Sequence, residues 1–314
     1  MFFIVPRGWL WVVLLATACE RPAPARSNDT AYSPLTLPSS TVTRQDLVQA
    51  SWDSAAGPIF LVVGANAQQA AVIVPAVDSG ASLDTVSFRA ERWQSLEFDL
   101  LAAGRSLGVA TIGGAIALDV PDDCSAWPVV RLRGTGDTVT TRVWSVAFGR
   151  HRFAPLAVDS LNGLARADSL RLTVAVARLA SGAPGDTVDA LRGIPFVVKR
   201  AYLSTLPNRV GIVMAEVERS LNQEASPVHE HLFLIAERDS TVDAGYHLAY
   251  GERTSGREEM LEATELLALG TSRGRTQPVL LVARYLGDGV VYSLIERTDA
   301  RRWRLRWSSP YAGC

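Results

Sequence analysis

The chain has 314 residues, and its 31 Lys and Arg residues nearly balance 32 Asp and Glu residues, giving a formal net charge of −1. This balance provides no electrostatic reason to expect binding to nucleic acid or to an anionic membrane surface. Neither a Walker loop nor a Rossmann fingerprint is present, so no nucleotide binding is expected and no cofactor is predicted.

The N-terminal segment has the layout of a secretory signal. A positive charge at Arg7 precedes an apolar run over residues 9–15, and small residues follow at 16–18. The apolar stretch is shorter than the roughly 20 residues that span a bilayer, so a transmembrane anchor is not expected. Residues 1–18 are therefore predicted to be a signal peptide that is cleaved before Cys19.

Two kinds of cleavage fit this segment, and an uncleaved segment is a third alternative. Ala16 and Ala18 suit an ordinary signal peptidase, whereas residues 14–19 resemble the lipobox of bacterial lipoproteins, in which the cysteine thiol is acylated. Cysteine parity favours lipidation, because an oxidising compartment makes an unpaired thiol unusual. With lipid on Cys19, the remaining Cys124 and Cys314 are predicted to form a disulfide.

The residues after Cys19 predict a flexible tether and then a folded body. Residues 19–45 are rich in Pro, Ser and Thr and lack apolar periodicity, so they bury too little surface to offset the entropy of ordering. The body is predicted to comprise an N-terminal β domain over 46–150 and a C-terminal β-rich domain over 151–314, although one large β domain also fits the length.

Strand patterns dominate the N-terminal part of the body. Short apolar runs over 58–63 and 71–74 are bounded by turn residues. Residues 96–101 and 107–112 predict a hairpin around Gly104, and residues 129–133 and 141–148 predict a second hairpin around 134–137.

One segment, near 168–181, favours a helix. Asp168 or Ser169 is a candidate cap for a helix running over 170–180, which the Gly- and Pro-containing residues 181–185 would end. The alternation of apolar residues from Leu170 to Val176 favours a strand instead, and we retain the helix as the better interpretation.

The C-terminal part returns to strands, predicted over 210–217, 232–236, 246–250, 262–269, 279–285, 290–297 and 303–307. Their spacing of about 8–12 residues, with turns between them, is typical of antiparallel sheets. The sequence therefore predicts a mainly β (α+β) fold, arranged as a sandwich or like propeller blades, with one central helix.

Residues 265–280 are similar to a degenerate FG-GAP-type repeat, and the close of the chain resembles that of uncharacterised secreted bacterial lipoproteins carrying such a repeat. The resemblance implies a β scaffold and no known reaction. The loop over 271–276 has no carboxylate, whereas calcium needs several charged oxygen ligands, so calcium binding is not carried over. Gly270, Ser272 and Gly274 match G-x-S-x-G, but a strand is predicted after them where a nucleophile elbow needs a helix.

Two further sets of residues are candidate sites. His229 and His231 lie two apart and would share a face of a strand, where they could bind one Zn²⁺ with Glu224 as the third ligand. Trp303 and Trp307 lie four apart on a predicted strand, which suggests an exposed strip for ligand stacking.

These observations favour a non-catalytic, lipid-anchored protein of the extracytoplasmic bacterial cell envelope. Its expected role is that of a scaffold or of a binding protein for a ligand or partner. Its expected partners are the membrane, through the lipid, and an envelope protein or polysaccharide. A metal-dependent hydrolase that uses His229 and His231 is the alternative.

Overall fold

A computed structural model describes residues 52–77, 83, 89–134, 144–185, 188–221, 227–238, 245–256 and 262–314. These residues contain sixteen β-strands and one α-helix, and every strand pair is antiparallel. The prediction of a mainly β fold of antiparallel sheets with one helix is confirmed. Cys19, the signal segment and the tether lie outside the described residues.

The first six strands form a closed barrel in the order β1-β2-β5-β4-β3-β6. Its interior is filled by large apolar side chains, among them Leu61, Phe98, Leu100 and Trp144, which alternate with outward-facing residues along the strands. The strand bounds are β1 (Phe60–Val63), β2 (Gln69–Ile73), β3 (Glu97–Ala102), β4 (Arg105–Ile116), β5 (Val129–Gly134) and β6 (Val146–Gly149).

The barrel contains one of the two predicted hairpins. β3 and β4 pair directly around the tight turn at Ala103 and Gly104, as predicted. The prediction of a second hairpin over 129–133 and 141–148 is wrong. Both edges of β5 are occupied, by β2 and β4, so β6 closes the barrel between β1 and β3 instead.

The remaining ten strands form two sheets of five. The helix-side sheet has the order β12-β11-β10-β9-β8, and the barrel-side sheet has the order β16-β15-β14-β13-β7. The bounds in the helix-side sheet are β8 (Asp159–Ser160), β9 (Val197–Thr205), β10 (Gly211–Leu221), β11 (Val228–Arg238) and β12 (His247–Gly256). Those in the barrel-side sheet are β7 (Phe153–Pro155), β13 (Glu262–Ser272), β14 (Pro278–Leu286), β15 (Gly289–Asp299) and β16 (Arg302–Ser308).

The helix, the two sheets and the barrel form four layers that pack on one another through three hydrophobic cores. The helix packs on the helix-side sheet, the two sheets pack on each other through residues such as Met214 and Leu280, and the barrel exterior packs on the barrel-side sheet through Phe60 and Leu281. Because both faces of each central strand are covered, β10 and β14 read as nearly continuous apolar runs rather than as alternating ones. The predicted division into domains 46–150 and 151–314 stays a prediction.

The helix, α1 (Arg166–Ser181), begins earlier than its predicted cap. Its N-cap is Ala165, which makes no side-chain cap hydrogen bond, and Asp168 lies within the first turn. Leu172, Val176 and Ala180 are buried against the helix-side sheet, whereas Leu170 and Val174 are exposed. The apolar alternation that favoured a strand is therefore split between the two faces of a helix. No helix within the described residues is long and apolar enough to cross a bilayer.

Two buried carboxylates of β11 connect the layers. Glu230, on the helix-side face, forms ion pairs with Arg219 at 2.5 Å and with Arg253. Glu237, on the opposite face, accepts hydrogen bonds from Nε and Nη2 of Arg297 at 2.7 and 2.8 Å. It also accepts the indole N–H of Trp303 at 2.7 Å, so its charge is compensated across the two sheets.

The C-terminal residues return to the barrel. Cys124 and Cys314 form a disulfide that links positions 190 residues apart. Beside it, Ser125 and Gly313 exchange backbone hydrogen bonds of 2.9 and 2.8 Å. Ala312 pairs in turn with Val290 of the barrel-side sheet. The tail thus fastens the loop after β4 to the edge of that sheet.

Candidate ligand-binding site at one end of the barrel

A cavity of about 700 Å³ lies at the end of the barrel where β1 and β3 begin and β6 ends. It is open to solvent on one side and is completed by the turn between β13 and β14. Its volume falls within the range of small-molecule sites, which often occupy the mouths of barrels.

The floor of the cavity is apolar. Ile59 immediately precedes β1 and is 1 % exposed, and Phe98 of β3 is fully buried. Trp93, in the turn before β3, packs against the barrel interior while it also lines the cavity. Leu96 is 37 % exposed, and Pro58 is also exposed. Because Ile59 and Phe98 are closed to solvent, the apolar surface that a ligand would meet, the floor of the cavity, belongs to Pro58, Trp93 and Leu96.

The charged part of the cavity lining is cationic. Arg150, Arg152 and Arg273 all line it, and Glu97 is the only acidic residue among the described residues of the lining. Glu97 forms an ion pair with Arg150, and this hydrogen bond raises the pKa of the Arg150 guanidinium. Three positive charges against one negative charge leave the lining with a net charge of +2.

Arg152 is positioned by two glycines. A Cβ atom at either Gly57 or Gly149 would lie 3.2 Å from Cδ of Arg152, so the arginine stem passes close over both backbones. Gly57 also has a φ of 110°, a conformation that favours glycine. The side chain of Arg152 is thereby confined where it lines the cavity.

Arg273 reaches the cavity from the barrel-side sheet. It follows β13, and its backbone N–H donates to the carbonyl oxygen of Arg152 at 2.9 Å. The next residue, Gly274, has a φ of 72°, as a tight turn requires. Among the described residues, no carboxylate forms an ion pair with Arg152 or Arg273. Both charges are therefore available to a ligand.

This turn is also where the G-x-S-x-G pattern falls. Ser272 is the last residue of β13, it is 2 % exposed, and β14 follows the turn. The arrangement is strand–turn–strand, as predicted, and not the strand–turn–helix of a nucleophile elbow. The residue of this segment that lines the cavity is Arg273.

Sequence reasoning did not find this cavity. Its arginines come from positions 150, 152 and 273, and nothing in their spacing shows that two distant segments meet. One usable signal was present: Arg150 and Arg273 directly follow the end of an apolar strand, and Arg152 lies in the same short turn as Arg150, where ligand-contacting residues are common.

The histidine pair lies elsewhere, on β11. His229 and His231 share the face that turns toward the barrel-side sheet, and His231 lies 3.2 Å from Glu218 and 3.7 Å from Glu216. Glu224, the expected third ligand, is outside the described residues. Within the described part of the chain, no group of three His, Cys, Asp or Glu side chains is placed to hold a metal ion. The zinc site stays an untested alternative.

The tryptophan pair does not form an exposed strip. Trp303 is 5 % exposed and Trp307 is 8 % exposed. Pairing with β15 skips Arg306, and this β-bulge turns the two rings to opposite faces of the sheet. Trp303 enters the core between the sheets, whereas Trp307 packs against the barrel beside Trp52, with ring centroids 5.0 Å apart.

Comparison with known proteins adds no relative to this description. No protein-family model matches the chain, and neither a curated protein nor a solved structure is similar to it.

Proposed function

We propose that this chain is a lipid-anchored extracytoplasmic binding protein that holds a small ligand in the cavity at the end of its barrel. The sequence up to Cys19 supports the location, because a charged start, a short apolar run and small residues precede that cysteine. The disulfide between Cys124 and Cys314 supports the lipid, since it leaves Cys19 as the one cysteine without a partner in the chain.

The observation that carries the binding role is the composition of the cavity. An apolar floor of Pro58, Trp93 and Leu96 lies in the same cavity as Arg152 and Arg273. Such a lining combines apolar contact with a few fixed polar groups, as ligand sites do. Among the described residues, the lining has no His, Cys or Lys, and its one carboxylate, Glu97, is engaged by Arg150. These side chains are suited to holding an anion rather than to transferring a proton or forming a covalent bond.

A blocking variant tests the role of the cavity. Ser95 is exposed and lines the cavity, so Ser95→Trp should fill it without disturbing the core. The matched control is Ser181→Trp, at the exposed end of α1. The measurement is native mass spectrometry of each protein after gentle extraction from bacterial envelopes. We expect a bound small molecule on the wild-type and Ser181→Trp proteins and none on Ser95→Trp. Ligand-free wild-type protein, or equal occupancy in all three, would contradict the proposal.

A second variant tests the location. With Cys19→Ser, the acceptor thiol is lost, and two acyl signals are what hold such a protein firmly to a leaflet. We expect the wild-type protein to fractionate with membranes and the variant to appear in the soluble extracytoplasmic fraction. Intact mass of the mature wild-type chain should include the acyl groups. A mature wild-type chain without acyl mass would exclude the lipid anchor while leaving the cavity test unaffected.

A further inference from the structure

Within the proposed binding function, on which this inference rests, the structure assigns a ligand class to the cavity: a phosphate monoester that carries a small apolar group. Three features of the cavity carry the assignment. They are its charge, the placement of the two arginines that form no ion pair with a described carboxylate, and its apolar floor.

The charge of the lining matches a dianion. Arg150 is already paired with Glu97, so the excess of +2 resides on Arg152 and Arg273. Guanidinium groups remain charged at every physiological pH, so this excess does not titrate away. A carboxylate ligand supplies one negative charge and would leave one arginine uncompensated. A phosphate monoester carries close to two charges above its second pKa of about 6 and would neutralise both.

The two arginines are placed to act on one group. The hydrogen bond of 2.9 Å between the Arg273 amide and the Arg152 carbonyl makes their backbones immediate neighbours. The stem of Arg152 is confined over Gly57 and Gly149, which lowers the entropy lost when its guanidinium binds. Each guanidinium is a planar fork that can donate two parallel N–H bonds, and phosphate has enough oxygens to accept from two such forks.

The floor specifies the other end of the ligand. Pro58 and Leu96 are exposed, and Trp93 is half-buried with its ring against the barrel interior. An inorganic phosphate ion would leave this surface uncovered. An ester with an aryl or short alkyl group would cover it and gain roughly 25 cal/mol per Å² of apolar surface removed from water.

The experiment compares three probes that share one ring: phenyl phosphate, benzoate and benzyl alcohol. Titration calorimetry of the full mature protein at pH 7.5 measures the affinity of each. We expect phenyl phosphate to bind at least about tenfold more tightly than benzoate, and benzoate more tightly than benzyl alcohol. The affinity for phenyl phosphate should fall as the pH drops below about 6, where the ester becomes a monoanion.

Arginine variants test the assigned contacts. Arg152→Gln and Arg273→Gln should each weaken phenyl phosphate binding by roughly 10- to 100-fold, as expected for a lost charge-assisted hydrogen-bond pair. Arg302→Gln, at an exposed position on the edge strand β16, should leave the affinity unchanged. Thermal unfolding of each variant checks that the fold is retained.

The outcomes separate this inference from the binding function itself. If the three probes bind equally, or if Arg302→Gln weakens phenyl phosphate as much as Arg273→Gln, the phosphate assignment is wrong. The binding function would still stand, provided that Ser95→Trp abolishes binding of the probes or of the envelope-derived molecule. Failure of phenyl phosphate to bind the wild-type protein overturns the assignment directly.

Discussion

The backbone N–H of Arg273 donates to the carbonyl oxygen of Arg152, one step beyond the pairing of Ser272 with Phe153 between β13 and β7. The bond therefore continues the ladder of the barrel-side sheet into the turns that line the cavity. It brings two positive charges to one cavity wall, while the apolar part of the lining comes from residues that flank the barrel strands. The lining thus combines the barrel with two arginines that the barrel-side sheet holds together.

The disulfide is expected to contribute strongly to stability. Replacing Cys124 and Cys314 by Ser opens a loop of 190 residues in the unfolded chain, and loop-closure entropy predicts a loss of roughly 3–5 kcal/mol in the free energy of unfolding. Urea denaturation of the double variant measures it. Wild-type protein under reducing conditions is the control and should shift by a similar amount. An unchanged urea midpoint in both would show that the crosslink contributes nothing.

Glu237 is expected to make stability depend on pH in the acid range. Burial alone would raise its pKa, but the bonds from Arg297, from the Arg301 amide and from Trp303 outweigh burial and hold the pKa below its ordinary value of 4.5. A lowered folded-state pKa stabilises the protein above the unfolded value, and this contribution is lost as the pH falls through the folded one.

The variant Glu237→Gln tests this expectation. It leaves Arg297 in a largely buried site without its counter-charge, so we expect a loss of about 3–5 kcal/mol at pH 7. The difference from wild type should narrow as the pH falls below 4.5, because the wild-type carboxyl then becomes protonated as well. Glu91→Gln, at an exposed position, is the control. A difference that stayed constant down to pH 2 would rule out the ionised form of Glu237 as its source.

Trp307 is expected to serve the core and not a binding surface. Its indole N–H donates to the Pro75 carbonyl at 3.2 Å, and its ring packs edge-on against Phe60 at 6.0 Å. Trp307→Ala should cost about 3–5 kcal/mol of stability and leave phenyl phosphate affinity unchanged wherever the protein is folded. Trp93→Ala is the matched comparison, and it should weaken binding. If Trp307→Ala weakened binding and Trp93→Ala did not, β16 would again be the candidate surface for ligand stacking.

The histidine pair is expected to bind little zinc. Glu218, the carboxylate 3.2 Å from His231, also accepts a hydrogen bond of 2.6 Å from Lys199. Glu216, on the other side, accepts the Thr264 amide N–H at 3.2 Å. Metal analysis should therefore find the same sub-stoichiometric zinc in the wild-type, His229→Ala and His231→Ala proteins. Stoichiometric zinc that both substitutions remove would favour the hydrolase hypothesis.

Local patterns in the sequence predict much of the fold. The predicted run 279–285 lies inside β14, and the run 210–217 begins one residue before β10, because β-branched and apolar residues between turns suit buried strands. The partners of a strand follow from the tertiary arrangement, and so β5 and β6 were paired with each other wrongly. The faces of Trp303 and Trp307 were also predicted wrongly, since no residue type in this segment predicts the bulge at Arg306.

The cavity shows the same limit more sharply. Its floor could be anticipated in part, because residues 58–63 read as a buried strand. Its charge could not, because Arg273 lies 121 positions beyond Arg152 in the chain and the two meet only when β7 pairs with β13. Long-range juxtaposition, and not local propensity, creates the site.

The bulge in β16 has a consequence for how this chain can change over evolution. One strand supplies Trp303 to the core between the sheets and Trp307 to the core beside the barrel. In a regular strand two residues four apart share a face, so the extra residue at Arg306 is what sends the two rings to different cores. Deleting that residue would leave the rings three apart on a regular strand and still on opposite faces. Straightening the strand at its present length would instead turn one ring out of its core, so we expect evolution to lose the bulge and its extra residue together.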